Sequence, residues 1–196
     1  TNGAYDITGF DWSPDGKNIV VNARVDRDKM QILRYPIAVG SPEIVHEAPE
    51  IFHPSISPAG DRIVYSGLEH ASGNLYSVDK AGLVSPLNSD GIRGSYVAWS
   101  PDGQWLAFQG RQSEDSQMDI MVMPSNGGKP QKITDESFVM GAITVSWGHL
   151  GNSVIYSAIP LQEENSYLAV VDTSGENFEI LQDFGAINLW NASKPS

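Results

Sequence analysis

The turn Trp-Ser-Pro-Asp-Gly occurs twice in this chain, at Trp12–Gly16 and Trp99–Gly103, each time ahead of a largely apolar run. In Ser-Pro-Asp-Gly the proline presets φ at the second position of a type I turn. Aspartate tolerates the third position, and glycine supplies the left-handed residue from which a second strand starts. The motif therefore predicts a tight hairpin. Its glycine recurs as Gly16, Gly60, Gly103 and Gly151, separated by 44, 43 and 48 residues. A period of this size is the signature of a repeat architecture.

The residues around the glycine hold the phase. Three positions on stand Ile19, Ile63, Leu106 and Val154, then Val20, Val64, Ala107 and Ile155, then Val21, Tyr65, Phe108 and Tyr156. A polar residue ends each run: Asn22, Ser66, Gln109 and Ser157. Four positions before the glycine stand Trp12, Ile56, Trp99 and Trp147. Two further short strands follow in each unit, as in "QILRYP" from Gln31 and "PEIV" from Pro42. No segment sustains a 3.6-residue period, so helix is expected to be scarce. Four-stranded antiparallel units of this length predict an all-β chain, a β-propeller of four blades. Nearly continuous apolar runs suit blades covered on both faces by their neighbours.

The expected organisation is a single domain, 1–196, with blades at about 7–48, 51–90, 95–136 and 142–184 and a tail at 185–196. Trp190 stands 43 residues after Trp147, so the tail reads as the innermost strand of a fifth unit. Two readings stay open. The chain is an open piece of a larger propeller, whose uncovered apolar faces self-associate, or a four-bladed ring whose tail packs in the channel.

The pattern Trp-Ser-Pro-Asp-Gly, two residues, three apolar residues, then an apolar strand ending in Asp resembles the TolB-type β-propeller repeat. Copies one and three match it closely. Copy two has Ala59 in the aspartate place and Asp61 two positions later, just after the glycine, and copy four has lost both proline and aspartate. The resemblance implies the fold. It leaves function among periplasmic translocation proteins, extracytoplasmic sensor domains of membrane-anchored transcriptional regulators, the propellers of prolyl-oligopeptidase-like peptidases and some polysaccharide lyases.

Composition removes several classes. The chain has 24 acidic against 12 basic residues, a net charge of −12 at pH 7. Such a surface repels phosphate backbones, so direct nucleic-acid binding is not expected. Cysteine is absent, which excludes disulfides, cysteine zinc sites and thiol nucleophiles. No apolar run is long enough to span a bilayer as a helix. There is no Gly-x-Ser-x-Gly elbow, no His-Glu-x-x-His and no phosphate-cradling glycine loop.

Two candidate sites remain, both on the propeller face opposite the Ser-Pro-Asp-Gly turns. His46, His53 and His70 fall near the second blade, where imidazoles brought together bind a transition metal or supply a base. His149 lies in a turn on the other face. The loops also carry Asp26, Asp28, Glu69, Glu114, Asp115, Glu163 and Glu164. This acidic rim suits a basic protein partner, a small ligand or a divalent cation such as Ca²⁺. No cofactor is expected beyond that cation. The leading expectation is a non-catalytic binding or sensing module, extracytoplasmic, in a membrane-anchored regulator or a TolB-like envelope protein. The alternative is the propeller of an enzyme, either a metal-assisted polysaccharide lyase or a prolyl-oligopeptidase-like peptidase.

Overall fold

The computed structural model describes residues 6–68, 74–88, 91–111, 118–134, 144–158 and 165–186. Among them there is no helix, and the strands form four separate four-stranded sheets. The first holds β1 (Asp6–Trp12), β2 (Asn18–Asp26), β3 (Lys29–Pro36) and β4 (Glu43–Ala48). The second holds β5 (Glu50–Ile56), β6 (Arg62–Leu68), β7 (Asn74–Asp79) and β8 (Val84–Pro86). The third holds β9 (Arg93–Trp99), β10 (Trp105–Arg111), β11 (Asp119–Pro124) and β12 (Gln131–Lys132). The fourth holds β13 (Val145–Trp147), β14 (Ser153–Ala158), β15 (Asn165–Asp172) and β16 (Phe178–Ala186). Every sheet is an antiparallel meander in chain order. These are the blades of a propeller, with β1, β5, β9 and β13 innermost. β16 runs on to Ala186, two residues into the segment read as the tail. The rest of that segment lies outside the described residues.

Turn chemistry explains why each blade begins where it does. Ser13 Oγ donates to Asp15 Oδ1 at 2.6 Å and accepts from the Asn18 amide at 2.9 Å. Asp15 Oδ1 also accepts the Lys17 amide at 3.0 Å. The third blade repeats this with Ser100, Asp102 and the amides of Gln104 and Trp105. In the second blade, where Ala59 holds the aspartate place, Asp61 takes over: Ser57 Oγ donates to it at 2.6 Å. The serine hydrogen bond is the main reason these three carboxylates ionise more readily than a free aspartate. Gly16, Gly60, Gly103 and Gly151 all sit at φ between 67° and 73°, the left-handed region that any side chain would strain.

Alternation along the strands gives each blade two apolar faces. Val20, Met30 and Ile32 of the first blade pack with Ile63, Tyr65, Tyr76 and Val78 of the second. Val64 and Leu75 of the second meet Leu106, Phe108, Met121 and Met123 of the third. Ala107, Ile120 and Val122 of the third meet Val154, Tyr156, Tyr167, Ala169 and Val171 of the fourth. The core is therefore a set of slabs between blades. Full burial of each large apolar side chain is worth about 1.5–3 kcal/mol.

Polar contacts set the angle of each slab. The Trp99 indole N–H donates to the Ser55 carbonyl at 3.1 Å, and that of Trp147 to the Ala98 carbonyl at 3.0 Å. Each tryptophan thus reaches the residue just before the matching position on the preceding blade. The second blade has Ile56 there, which has no donor, and the first blade compensates. Asp11 Oδ2 accepts the Ile56 amide at 2.9 Å and the Ser55 hydroxyl at 3.1 Å. At the turns, Pro14 packs on Gly60, Pro58 on Gly103 and Pro101 on Gly151. Arg62 adds a staple between the second and third blades, donating to the Ser125 carbonyl at 3.0 Å with its guanidinium 5.0 Å from the Trp99 ring centre.

These junctions predict an ordering of mutant stabilities. Trp99→Ala, which empties a slab, is expected to lower unfolding free energy by about 3–5 kcal/mol. Trp12, in the same column but 52% exposed, is expected to cost under about 1 kcal/mol when changed to Ala. Urea unfolding followed by circular dichroism measures both, and equal losses would refute the junction account. Asp11→Ala, which strips charge-assisted bonds from Ile56 and Ser55, is expected to cost about 1.5–3 kcal/mol, with Asp11→Asn recovering part of it.

Candidate functional site

The inner strands depart from regular pairing at one level of the channel. In β1, β5 and β9 the register against the next strand shifts, between Ile7 and Gly9, between Phe52 and Ser55, and between Ser95 and Ala98. Each shift is a β-bulge, which frees one residue from the ladder and redirects it. Three positions before the tryptophan column stand Gly9, His53, Tyr96 and Thr144. All four line one cavity of about 270 Å³, with Asp11 and Ser55 nearby in its wall. Gly9, His53 and Tyr96 of the three bulged inner strands thus meet Thr144, at the equivalent place of the fourth blade, in the same ring of the channel.

Two members of that ring are strained. His53 has φ 49° and Tyr96 has φ 53°; no other non-glycine residue described has a positive φ. A left-handed conformation costs an ordinary residue about 1–2 kcal/mol. His53 also precedes Pro54, and a residue before proline is steered toward extended backbone. The two rings lie face to face across the junction of the second and third blades, with centres 3.9 Å apart and planes inclined by 33°. Burial holds the His53 imidazole below its ordinary value near 6.5, so the ring is neutral at pH 7. Its Nδ1 is buried without a hydrogen-bond partner. On its other side His53 walls a second cleft of about 320 Å³ between the same two blades, shared with Glu50, Phe52, Ser66, Arg93 and Ser95.

The sequence-predicted site residues divide. His46 stands on the outermost strand of the first blade, its ring 5.6 Å from that of Tyr65. His53 stands on the innermost strand of the second. Among the described residues no group of three His, Cys, Asp or Glu is placed to hold a metal ion. His70 lies outside the described residues. Asp26 and Asp28 are exposed at the β2–β3 turn, where Asp26 Oδ1 accepts the Asp28 amide at 2.9 Å. Glu69, Glu114, Asp115, Glu163 and Glu164 lie outside the described residues.

Tyr96 and Asp11 were missed by sequence reasoning. Setting the four repeats on the tryptophan column places Tyr96 beside His53. Nothing in the residue string, however, announces a bulge or a positive φ at a tyrosine. Asp11 reads as an ordinary polar residue until Ile56 is seen to lack a donor.

No protein-family model matches the chain, and no curated protein matches its sequence. Solved structures do. A putative TolB from Agrobacterium tumefaciens superposes with a TM-score of 0.75 at 24% identity, over 88% of this chain and 63% of that one. TolB from Acinetobacter baumannii superposes with a TM-score of 0.74 at 18% identity, over 91% of this chain and 44% of that one. A mutant puromycin hydrolase complexed with PGG superposes with a TM-score of 0.72 at 15% identity, over 93% of this chain and 30% of that one. The chain therefore spans less than two thirds of the length of each of these proteins. The described sheets, their order and these superpositions together establish the fold: it is that of a TolB-like β-propeller.

Proposed function

We propose that this chain is a non-catalytic binding module whose recognition surface is the channel ring centred on His53 and Tyr96. The observation that carries the reading is their paired left-handed backbone. Strain of this kind persists where the surroundings over-determine it, and it clusters at ligand clamps. Among the described residues, the only non-glycine positions with positive φ are these two, which face each other at the channel. The acidic loop residues Asp26, Asp28, Glu69, Glu114, Asp115, Glu163 and Glu164 are proposed to steer a basic partner or a cation toward this face. The resemblance to TolB-type repeats supports an extracytoplasmic location, as the sensor part of a membrane-anchored regulator or as an envelope protein. A second reading rests on the neutral, half-buried His53, a form suited to ligate a metal or act as a base. It makes the chain the propeller of a metal-assisted enzyme.

His53→Gly and Tyr96→Gly test whether the strain serves recognition. Each relieves about 1–2 kcal/mol of backbone strain, loses about 0.5–1.5 kcal/mol of ring pairing beyond the area buried and adds about 0.5–1 kcal/mol of unfolded-chain entropy. Because the relief offsets most of this and both side chains are only partly buried, the midpoint of thermal unfolding is expected to fall by no more than about 5 °C. A fall of about 8 °C or more in either variant would make the pair a core support and remove the reading.

Metal is tested by melting stripped protein with and without Mn²⁺, Zn²⁺ and Ca²⁺. An ion that binds only the folded chain stabilises it by about 2.7 kcal/mol at a hundredfold excess over Kd. The binding-module reading expects no Mn²⁺ or Zn²⁺ shift that disappears in His53→Ala. Such a shift would favour the enzyme reading. A shift with Ca²⁺ alone, lost in Asp26→Asn with Asp28→Asn, would place the cation at that turn.

The histidine also sets a pH dependence. Its pKa is lower folded than unfolded, so the unfolded chain takes up the proton first as pH falls. The stability that the neutral ring contributes is present above about pH 6.5 and is lost below it. His53→Gln is expected to flatten that part of the stability–pH curve relative to wild type, measured by urea unfolding from pH 7.5 to 5.

A further inference from the structure

The outer edge of the fourth blade is unlike the edges of the two blades before it. β8 and β12, the outermost strands of the second and third blades, are three and two residues long, and they contain Pro86 and Lys132. Short strands, proline and lysine are the usual means of keeping a sheet edge from pairing with another chain. β16 runs for nine residues, Phe178–Ala186, without proline, lysine or arginine, and no described strand lies on its outer side. Two register shifts against β15 twist this edge without covering it. Phe178, Ile180, Leu181 and Phe184 are each 45–58% exposed. Phe178 and Ile180 stand opposite Val171 and Ala169, which are buried against the third blade, so both lie on the covered face of the sheet. They stay exposed because the third blade's outer strand, β12, is only two residues long.

Charge selects what such an edge accepts. From Ile133 to Ser193 the sequence carries eight Asp or Glu and no Lys or Arg. Three of those carboxylates, Glu176, Glu179 and Asp183, are exposed on or beside β16. Lys132, on the third blade's outer strand, is held by Asp119 at 2.8 Å. Two copies paired antiparallel about Leu181 would set Glu179 against Asp183, and like charges directly opposite repel. A basic strand gains where a second copy loses. We propose that β16 is the docking edge for an extended basic segment of another protein, which adds to the fourth blade as a further strand. Backbone bonds along the edge hold the segment. Its apolar side chains lie beside Phe178 and Ile180, and its lysines or arginines beside Glu179 and Asp183. The inference does not rest on the binding role of the channel: β16 is an outermost strand, whereas His53 and Tyr96 stand on innermost ones.

Two short fluorescent peptides test the edge in the full chain, one alternating Lys and Val, the other Glu and Val. By anisotropy the Lys-Val peptide is expected to bind about tenfold tighter or more, and to slow hydrogen exchange of the Phe178–Phe184 amides. Ile180→Lys, which places a charge on the edge, is expected to weaken that binding about tenfold. Glu179→Lys combined with Asp183→Lys is expected to turn the preference toward the Glu-Val peptide. All three positions are exposed, and a melting midpoint near that of wild type verifies that the variants are folded. Absent or equal binding of the two peptides, or a preference untouched by the charge reversal, would overturn the proposal. Slowed exchange around His53 and Tyr96 in place of β16 would put the peptide in the channel and overturn it too. Protection of every Phe178–Phe184 amide in the free chain would mean that the edge is already covered, with the same consequence. Light scattering covers the remaining occupant: a dimeric chain that Ile180→Lys makes monomeric would assign the edge to a second copy and overturn the proposal as well.

Discussion

Everything in this molecule depends on covering both faces of a small antiparallel sheet. A blade of four short strands has no interior of its own. Its apolar side chains alternate to two faces, and each face is buried only when another blade lies on it. The three described slabs are therefore the core, and their geometry is the fold. The indole-to-carbonyl bond fixes how far one blade is rotated from the last, because it ties an inner strand to the inner strand before it. A net bond of this kind is worth only about 0.5–1.5 kcal/mol, less than the apolar burial beside it. Its contribution is direction, which non-specific apolar packing lacks.

The first junction shows that the constraint lies in the geometry and not in one residue type. Ile56 cannot donate, and the polar link is rebuilt from the other side by Asp11. The second turn shows the same tolerance: Asp61, two residues late, receives the serine hydroxyl that Asp15 and Asp102 receive elsewhere. A repeat can drift in sequence while its contacts are kept, provided a carboxylate of the right reach is available. The channel ring is different. The position three before the tryptophan carries Gly, His, Tyr and Thr in the four blades. His53 and Tyr96 sit where the register of their strands shifts, outside the regular ladder pairs. A position free of structural duty and aimed at a cavity is where a repeat protein can acquire recognition without loss of fold.

The four-blade architecture was legible in the residue string because its causes are local and repeated. A Ser-Pro-Asp-Gly turn can close only a hairpin, and the apolar columns recur at a spacing that only four-stranded units fill. The trailing and leading faces followed from period-two alternation, as Val20 and Val21 show by pointing into different clusters. The turn aspartates were also readable, because a Ser-Asp pair two residues apart closes on itself.

The site was readable in fragments only. His53 could be singled out as an imidazole at the entrance to a blade, but its partner could not. Tyr96 lies 43 residues away, and its ring meets His53 only because two bulges in adjacent blades turn the chain by the same amount. His46, seven residues from His53 in sequence, goes to the outer edge of a different blade. Sequence by itself determined the turns, the strand faces and the count of repeats, since each depends on residues within hydrogen-bonding reach along the chain. Tertiary structure alone decided which side chains share the channel, which strain is stored there and which carboxylate replaces a missing indole. Those depend on how one blade's inner strand is set against the next, and no single repeat contains that information.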